Sequence, residues 1–197
     1  EQGYYFKDAV YLVDDYKSSM ISPGEMRPIL QNYADGTGRS RLTRDGRLNH
    51  TRPIRGLLLC TGEDLPEHSA STIARMIVLR VPKADSDLSL GHACVRHAEM
   101  FPGITEAYIE HILAQQWCEQ FADMVNAHHE EFMKGSKGRD NDVRIAGNFG
   151  MLAAGFQAFA LFMEDVWPDG DKRIKDFVAD LRGVRDQMLD ETHEQSP

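Results

Sequence analysis

The sequence predicts an α/β fold. A partial parallel sheet with an inserted β-hairpin occupies residues 1–83, and an all-α region of three to four helices occupies residues 84–197. Two short apolar runs, 9–13 and 54–60, each lead into polar residues: Asp14-Asp15 after the first, Thr61-Gly62-Glu63-Asp64 after the second. Continuous apolar runs of this length are the pattern of strands buried on both faces. Between them lies Asp45-Gly46 with polar flanks, a short-range hairpin signal. From about residue 86 the apolar residues recur at three- and four-residue steps, the helical period.

Taken in order, residues 9–15 form the first strand. Ser22-Pro23-Gly24-Glu25 has helix-start chemistry, and Met26, Ile29, Leu30 and Tyr33 place a short helix over about 24–34, ended by Asp35-Gly36. Residues 39–52 read as an exposed basic hairpin, because neither face is apolar enough to bury. Pro53 ends it, and 54–60 is the second strand. Two strands of like polarity joined by a helix and a hairpin fit a parallel pair with a right-handed crossover. That arrangement sets Thr61 beside Asp14 and Asp15. A turn or short helix over 65–75 leads to a third strand over 76–81. Three long helices follow, over about 104–133, 142–166 and 172–191, with Lys134-Gly-Ser-Lys-Gly138 and Trp167-Pro168-Asp169-Gly170 as breaks. Gly147, Gly150 and Gly155 in the second helix imply close helix packing. A parallel strand needs neighbours on both sides, so a strand this near residue 1 implies that the chain begins in mid-domain.

Charge is divided unevenly. Residues 1–83 hold 12 Lys and Arg against 10 Asp and Glu, whereas residues 84–197 hold 10 against 21. The net charge of −9 argues against a nucleic-acid coat, but six arginines and one acid lie between Arg39 and Arg55. Three cysteines, Cys60, Cys94 and Cys118, share no metal-ligand spacing and fit free thiols in a reducing cytoplasm. No stretch reads as a membrane span or a signal peptide, so no membrane partner is expected.

Carboxylates just outside the carboxyl end of a strand sit where open α/β sheets bind ligands. One such acid can hold Mg²⁺ of a bound nucleotide and a neighbour can orient water. The plainer reading is a strand ending in a turn, since Asp-Asp is also good turn material. In the hairpin, Arg39, Arg41, Arg44, Arg47 and Arg52 could line a phosphate backbone or pair with nearby acids as a solvated loop. His128-His129-Glu130-Glu131 do not converge on one ion, because adjacent helical residues point about 100° apart. His92 and His97 share a face poorly, and Cys60 belongs to the core.

A strand ending in acids, a helix, a basic hairpin, a strand ending in a polar residue and then an arginine before a further strand is a specific order. It resembles the second half of a P-loop ATPase core of the AAA+ or superfamily-3 helicase kind. Gly36-Thr-Gly-Arg-Ser-Arg-Leu42, Arg55-Gly-Leu-Leu-Leu-Cys-Thr-Gly-Glu-Asp-Leu-Pro66 and Ala74-Arg75 look like the ATPase region of phage- and mobile-element-encoded replication proteins of the primase-helicase type. The resemblance covers about 9–83 strongly and the helical part weakly. It implies a P-loop sheet with Asp14 as Walker B ligand of Mg²⁺, Asp15 in the place of a catalytic glutamate, Thr61 as sensor and Arg75 as arginine finger. Asp14, Asp15 and Thr61 would together face ATP. It further implies that Arg39, Arg41, Arg44 and Arg47 contact DNA, single-stranded by preference, and that subunits form a ring. The implied activity is ATP hydrolysis coupled to movement along a DNA strand, in the cytoplasm.

The departure is large: no Gly-x-x-x-x-Gly-Lys-Ser/Thr occurs in the chain. The chain alone is therefore expected to be inactive, either as the C-terminal part of a longer ATPase or as a degenerate module. A second reading from another class is a non-catalytic DNA-binding or oligomerisation adaptor whose helical half packs against partners.

Overall fold

A single turn of helix, α1 (Gln2–Tyr5), precedes β1 (Val10–Tyr16), and β1 pairs in parallel with β2 (Leu57–Gly62). The structure, a computed structural model, describes residues 2–5, 7, 9–37, 53–65, 69–82, 87–115 and 117–194, with the side chains of 2, 3, 118 and 119 left aside. The chain divides into two compact units, Glu1–Met76 with Asp190–Pro197, and Ile77–Leu189.

In the first unit, α2 (Pro23–Ala34) crosses between the strands. Its start is fixed by Pro23 in the first turn and by Glu25, whose Oε2 accepts from the Ser22 N–H at 3.1 Å and from the Ser22 hydroxyl at 2.8 Å. Met26 and Leu30 project from α2 onto Tyr16, and Val13, Leu58, Cys60 and Met76 complete this small core. The short helix α3 (Ala70–Ile73) is tied to α2 by the Gln31 amide, which donates to Thr72 Oγ1 at 3.1 Å.

The expected P-loop sheet is not the observed architecture. The molecule is mostly helical, and its described residues contain a sheet of two strands. Residues 76–81, expected as a third strand, form none; Leu79 is 61% and Val81 74% exposed. An apolar run becomes a strand only against a partner edge, and among the described residues none pairs with it. Burial on both faces also fails. Val10, Leu12, Leu57 and Leu59 are 60, 52, 67 and 51% exposed on one face, while Tyr11, Val13, Leu58 and Cys60 are half-buried on the other. The period-two alternation of a one-sided sheet was hidden because both faces carry apolar residues. The basic hairpin over 39–52 lies outside the described residues.

The second unit is helical. After α4 (Leu88–Arg96) and one turn of 3₁₀ helix come α5 (Phe101–Ala114), α6 (Cys118–Met133), α7 (Asp140–Phe162) and α8 (Gly170–Glu194), the last continuing to residues grouped with the first unit. Asp87 caps α4, its Oδ1 accepting from Ser89 N at 2.8 Å and Leu90 N at 3.1 Å. The single helix expected over 104–133 is two helices. The chain breaks after Ala114, and Trp117 is buried with its ring edge-on to His111 at 5.1 Å. Helical periodicity runs across this break, although α6 packs along α7 while α5 meets it mainly through Tyr108 and His111, whose rings contact Phe159 and Phe162.

The α6–α7 contact is close. A Cβ at Gly150 would lie 3.0 Å from the His129 backbone nitrogen and 3.1 Å from its Cα, so any larger residue would push the α6 backbone away by a few tenths of an ångström. Arg185 of α8 is almost wholly buried and donates from Nη1 to the carbonyls of Phe132 at 2.6 Å and Lys134 at 2.9 Å, satisfying the end of α6. Buried Asp142 accepts the Lys137 N–H at 2.9 Å and the Arg139 N–H at 3.4 Å at the start of α7. Among the described residues α7 is long and apolar enough, by length and composition, to cross a membrane, against the expectation of no such stretch. Its Ile145, Phe149, Ala153 and Ala154 are fully buried, the pattern of a core helix.

Two of the three glycines of α7 should respond oppositely. Nothing lies within 4 Å of a Cβ at Gly147, so Gly147→Ala should stabilise by up to about 1 kcal/mol through helix propensity. Gly150→Val should destabilise by about 1–3 kcal/mol through overpacking. Denaturant unfolding followed by far-ultraviolet circular dichroism measures both.

Candidate functional site

The parallel ladder places Val10 opposite Leu57, Tyr11 opposite Leu58, Leu12 opposite Leu59 and Val13 opposite Cys60, and then Tyr16 opposite Gly62. Between the last two pairs β1 spends Asp14 and Asp15 where β2 spends only Thr61. This is a bulge, and bulges re-aim side chains at strand ends. Asp15 has φ +54°, the left-handed region, which aspartate tolerates better than most residues.

Thr61 holds both acids. Its Oγ1 accepts the Asp15 N–H at 3.1 Å, and its hydroxyl donates to Asp14 Oδ1 at 2.5 Å. The hydroxyl has one proton, and that proton is committed to Asp14. Asp14 is exposed, and its Oδ2 accepts no hydrogen bond among the described residues. The Asp15 carboxylate is engaged by Lys17, with Nζ 3.2 Å from Oδ2, and this contact raises the Lys17 ammonium above its ordinary value.

Beyond the bulge the strands stay close. A Cβ at Gly62 would lie 2.6 Å from the Tyr16 carbonyl oxygen, so this pairing requires glycine. Tyr16 is buried, and its hydroxyl donates to the Ile21 carbonyl at 3.0 Å. Asp64 Oδ2 accepts from Ser18 N at 3.1 Å and from Ser18 Oγ at 2.7 Å. The Ser18 side-chain bond, then its backbone bond, hold the Asp64 carboxyl below its ordinary value, against a small opposing effect of desolvation.

The structure thus brings Asp14, Asp15 and Thr61 together at one end of the parallel pair. Arg75 is not joined to them by any hydrogen bond or ion pair among the described residues. Its Nε donates to Asp35 Oδ1 at 3.0 Å and its Nη1 to the Ser71 carbonyl at 2.6 Å, linking α3 to the end of α2. Arg39, Arg41, Arg44, Arg47 and Arg52 lie outside the described residues. Burial pushes the Cys60 thiol up, which keeps it protonated and a poor nucleophile. His128 Nε2 lies 2.8 Å from Gln157 Oε1, and Glu131 pairs with Arg182 and Lys134.

Sequence reasoning overlooked Ser18, Gly62 and Asp64 as parts of this corner. Gly62 carried the usable signal, a glycine at the end of a strand where a second backbone approaches. Among the described residues no group of three or more His, Cys, Asp or Glu could hold a metal ion. A cation at Asp14 would therefore take most of its ligands from water and from a bound anion, as Mg²⁺ at phosphates does. Neither protein-family models nor curated proteins nor solved structures give a match to this chain.

Thr61→Val keeps the shape of the side chain and removes both hydrogen bonds. The Asp15 amide should then exchange with solvent faster and the chain should lose about 1 kcal/mol of stability, whereas Thr61→Ser should behave as wild type; hydrogen exchange and thermal melting read these outcomes. Because the folded Asp64 pKa is depressed, the Ser18 contact contributes in full above the ordinary aspartate value of 3.8 and is lost as pH falls through the lower folded value. The Ser18 amide resonance should titrate with a midpoint below 3.8, and this titration should vanish in Asp64→Asn.

Proposed function

We propose that this chain carries the cation-holding edge of an ATP-hydrolysis site in a cytoplasmic, helicase-like replication protein that moves along single-stranded DNA. The observation that supports this reading most is the Asp14–Thr61 pair: a carboxylate with one oxygen unengaged among the described residues and a hydroxyl that fixes its other oxygen, on adjacent parallel strands. The sequence resemblance named the same residues from another direction.

Asp14 would take one position in the shell of Mg²⁺, which when bound neutralises phosphate charge. Thr61 holds the carboxylate in place, and can turn its hydroxyl to a phosphate only by giving up the bond to Asp14. Asp15 is suited to orient water once its carboxylate leaves Lys17, although aspartate reaches one methylene less far than glutamate. The phosphate-cradling loop, absent from this sequence, would come from another stretch of polypeptide. Arg75 would act on the nucleotide of a neighbouring subunit in a ring, after exchanging Asp35 for phosphate. The arginines of 39–52 would track the DNA backbone through phosphate contacts, which need no base reading.

One observation favours the second reading, an adaptor. Neither α4 nor α5 buries a residue, and Leu88, Leu90, Val95, Ile109 and Leu113 are exposed. A helical half that docks partners would look like this.

The product of the full open reading frame decides between them. Asp14→Ala should reduce ATP hydrolysis by at least about a hundredfold if a cation ligand is lost, and unchanged hydrolysis removes the assignment. Arg39→Ala combined with Arg41→Ala should weaken single-stranded DNA binding and flatten the slope of log affinity against log salt by about 1–2; an unchanged slope excludes those arginines from the contact.

A further inference from the structure

Two helices of the helical unit carry apolar rows that nothing covers. Neither α4 nor α5 buries a residue, and α5 meets α7 mainly through the rings of Tyr108 and His111. On α4, Leu88 and Val95 lie two turns apart on one face and are 74 and 76% exposed; a Cβ at Gly91 between them would meet nothing within 4 Å. On α5, Thr105, Ile109 and Leu113 recur every four residues, the last two 51 and 73% exposed. A groove of about 810 Å³ runs beside this row, lined by Phe101, Pro102, Thr105 and Ile109 together with Glu106 and Glu110.

The charges that border the two rows are opposite in sign. Arg96 is the only Lys, Arg, Asp or Glu within α4, and His92 stands one turn before it. Glu106 and Glu110, also one turn apart, are the only such residues within α5. All three are exposed, and none makes a side-chain hydrogen bond or ion pair among the described residues. Each charge follows a residue of its apolar row directly in sequence and so flanks that row, about 100° round the helix from its neighbour.

We propose that α4 and α5 are covered by a second copy of this chain, in a two-fold contact that lays α4 of each copy along α5 of the other. One isologous contact then buries both apolar rows and sets Arg96 beside Glu106 and Glu110 twice, once on each side of the axis. The mixture of signs selects this occupant: a partner of one sign would satisfy one helix and repel the other. Scale points the same way, because a stable pair takes about 800 Å² from each side, whereas a monomer rarely exposes a connected apolar patch of more than a few hundred Å². The pairing rests on the exposed helices of the adaptor reading and gives them a partner; it uses nothing at the β1–β2 corner.

Sedimentation equilibrium of the full chain across the micromolar range tests it, with circular dichroism as the check on folding. Wild type should be a concentration-dependent dimer and Ile109→Asp a monomer. Arg96→Glu leaves both helices acidic and should raise the dimer Kd at least about tenfold; Glu106→Lys combined with Glu110→Lys leaves both basic and should do the same. An equimolar mixture of these two variants should regain the wild-type dimer as a mixed pair, seen by native mass spectrometry, because each α4 again meets an α5 of opposite charge. A wild type that stays monomeric overturns the pairing, and leaves ATP hydrolysis and DNA binding to decide their own reading. A dimer indifferent to all three variants overturns it by placing the contact elsewhere. So does a mixture as weak as its components, or an assembly of three or more copies, which would fit the ring of the first reading.

Discussion

One hydroxyl organises the end of the parallel pair. Thr61 accepts from the backbone of Asp15 and donates to the side chain of Asp14, so a single group on β2 sets both the path of β1 and the direction of its first carboxylate. A left-handed aspartate costs about 1 kcal/mol or more, which the ladder, Thr61 and the Ser18–Asp64 clasp must together offset. Two adjacent carboxylates also repel, and the structure answers that locally: one faces a hydroxyl and the other a lysine. Asp14 is exposed, and among the described residues its second oxygen accepts no hydrogen bond, which gives the corner its chemical possibilities.

The helical unit is held by a different logic. Glycine and alanine line much of the buried side of α7, so helices approach through backbone and not through large side chains. The aromatic residues then fill what remains, Phe156 stacking on Phe177 with ring centroids 4.1 Å apart and Phe132 meeting Phe149 at 5.6 Å. Burying Arg185 is costly unless its donors are met, and the last carbonyls of α6 meet them. The same side chain therefore ends one helix and orders another.

How far the sequence discloses this structure depends on the range of the interaction involved. The polarity of the strands was legible because an apolar run ending in acids or in Thr61 marks its own carboxyl end, and the meeting of Asp14 with Thr61 followed from that. The long helices were legible from their apolar period, with α7 displaced by two to four residues at its ends. The bulge was not, because spending Asp14 and Asp15 against Thr61 depends on a register that only pairing reveals. The third strand failed for the same reason in reverse: residues 76–81 have strand composition, but composition does not supply an edge. The break before Trp117 was invisible because periodicity on either side of it is in phase. Arg75, placed by resemblance near a nucleotide, is tied to Asp35, a partner 40 residues away in sequence that no local pattern announces.

The account stands on the end of the β1–β2 pair being a place where a divalent cation binds through Asp14. The most direct measurement is paramagnetic broadening of amide resonances on adding substoichiometric Mn²⁺ to the isotope-labelled chain. Selective loss of the Asp14, Asp15 and Thr61 signals, with the acidic residues of α6 and α8 unaffected, is the predicted result. Broadening spread evenly over exposed carboxylates, or concentrated in the helical unit, would contradict it.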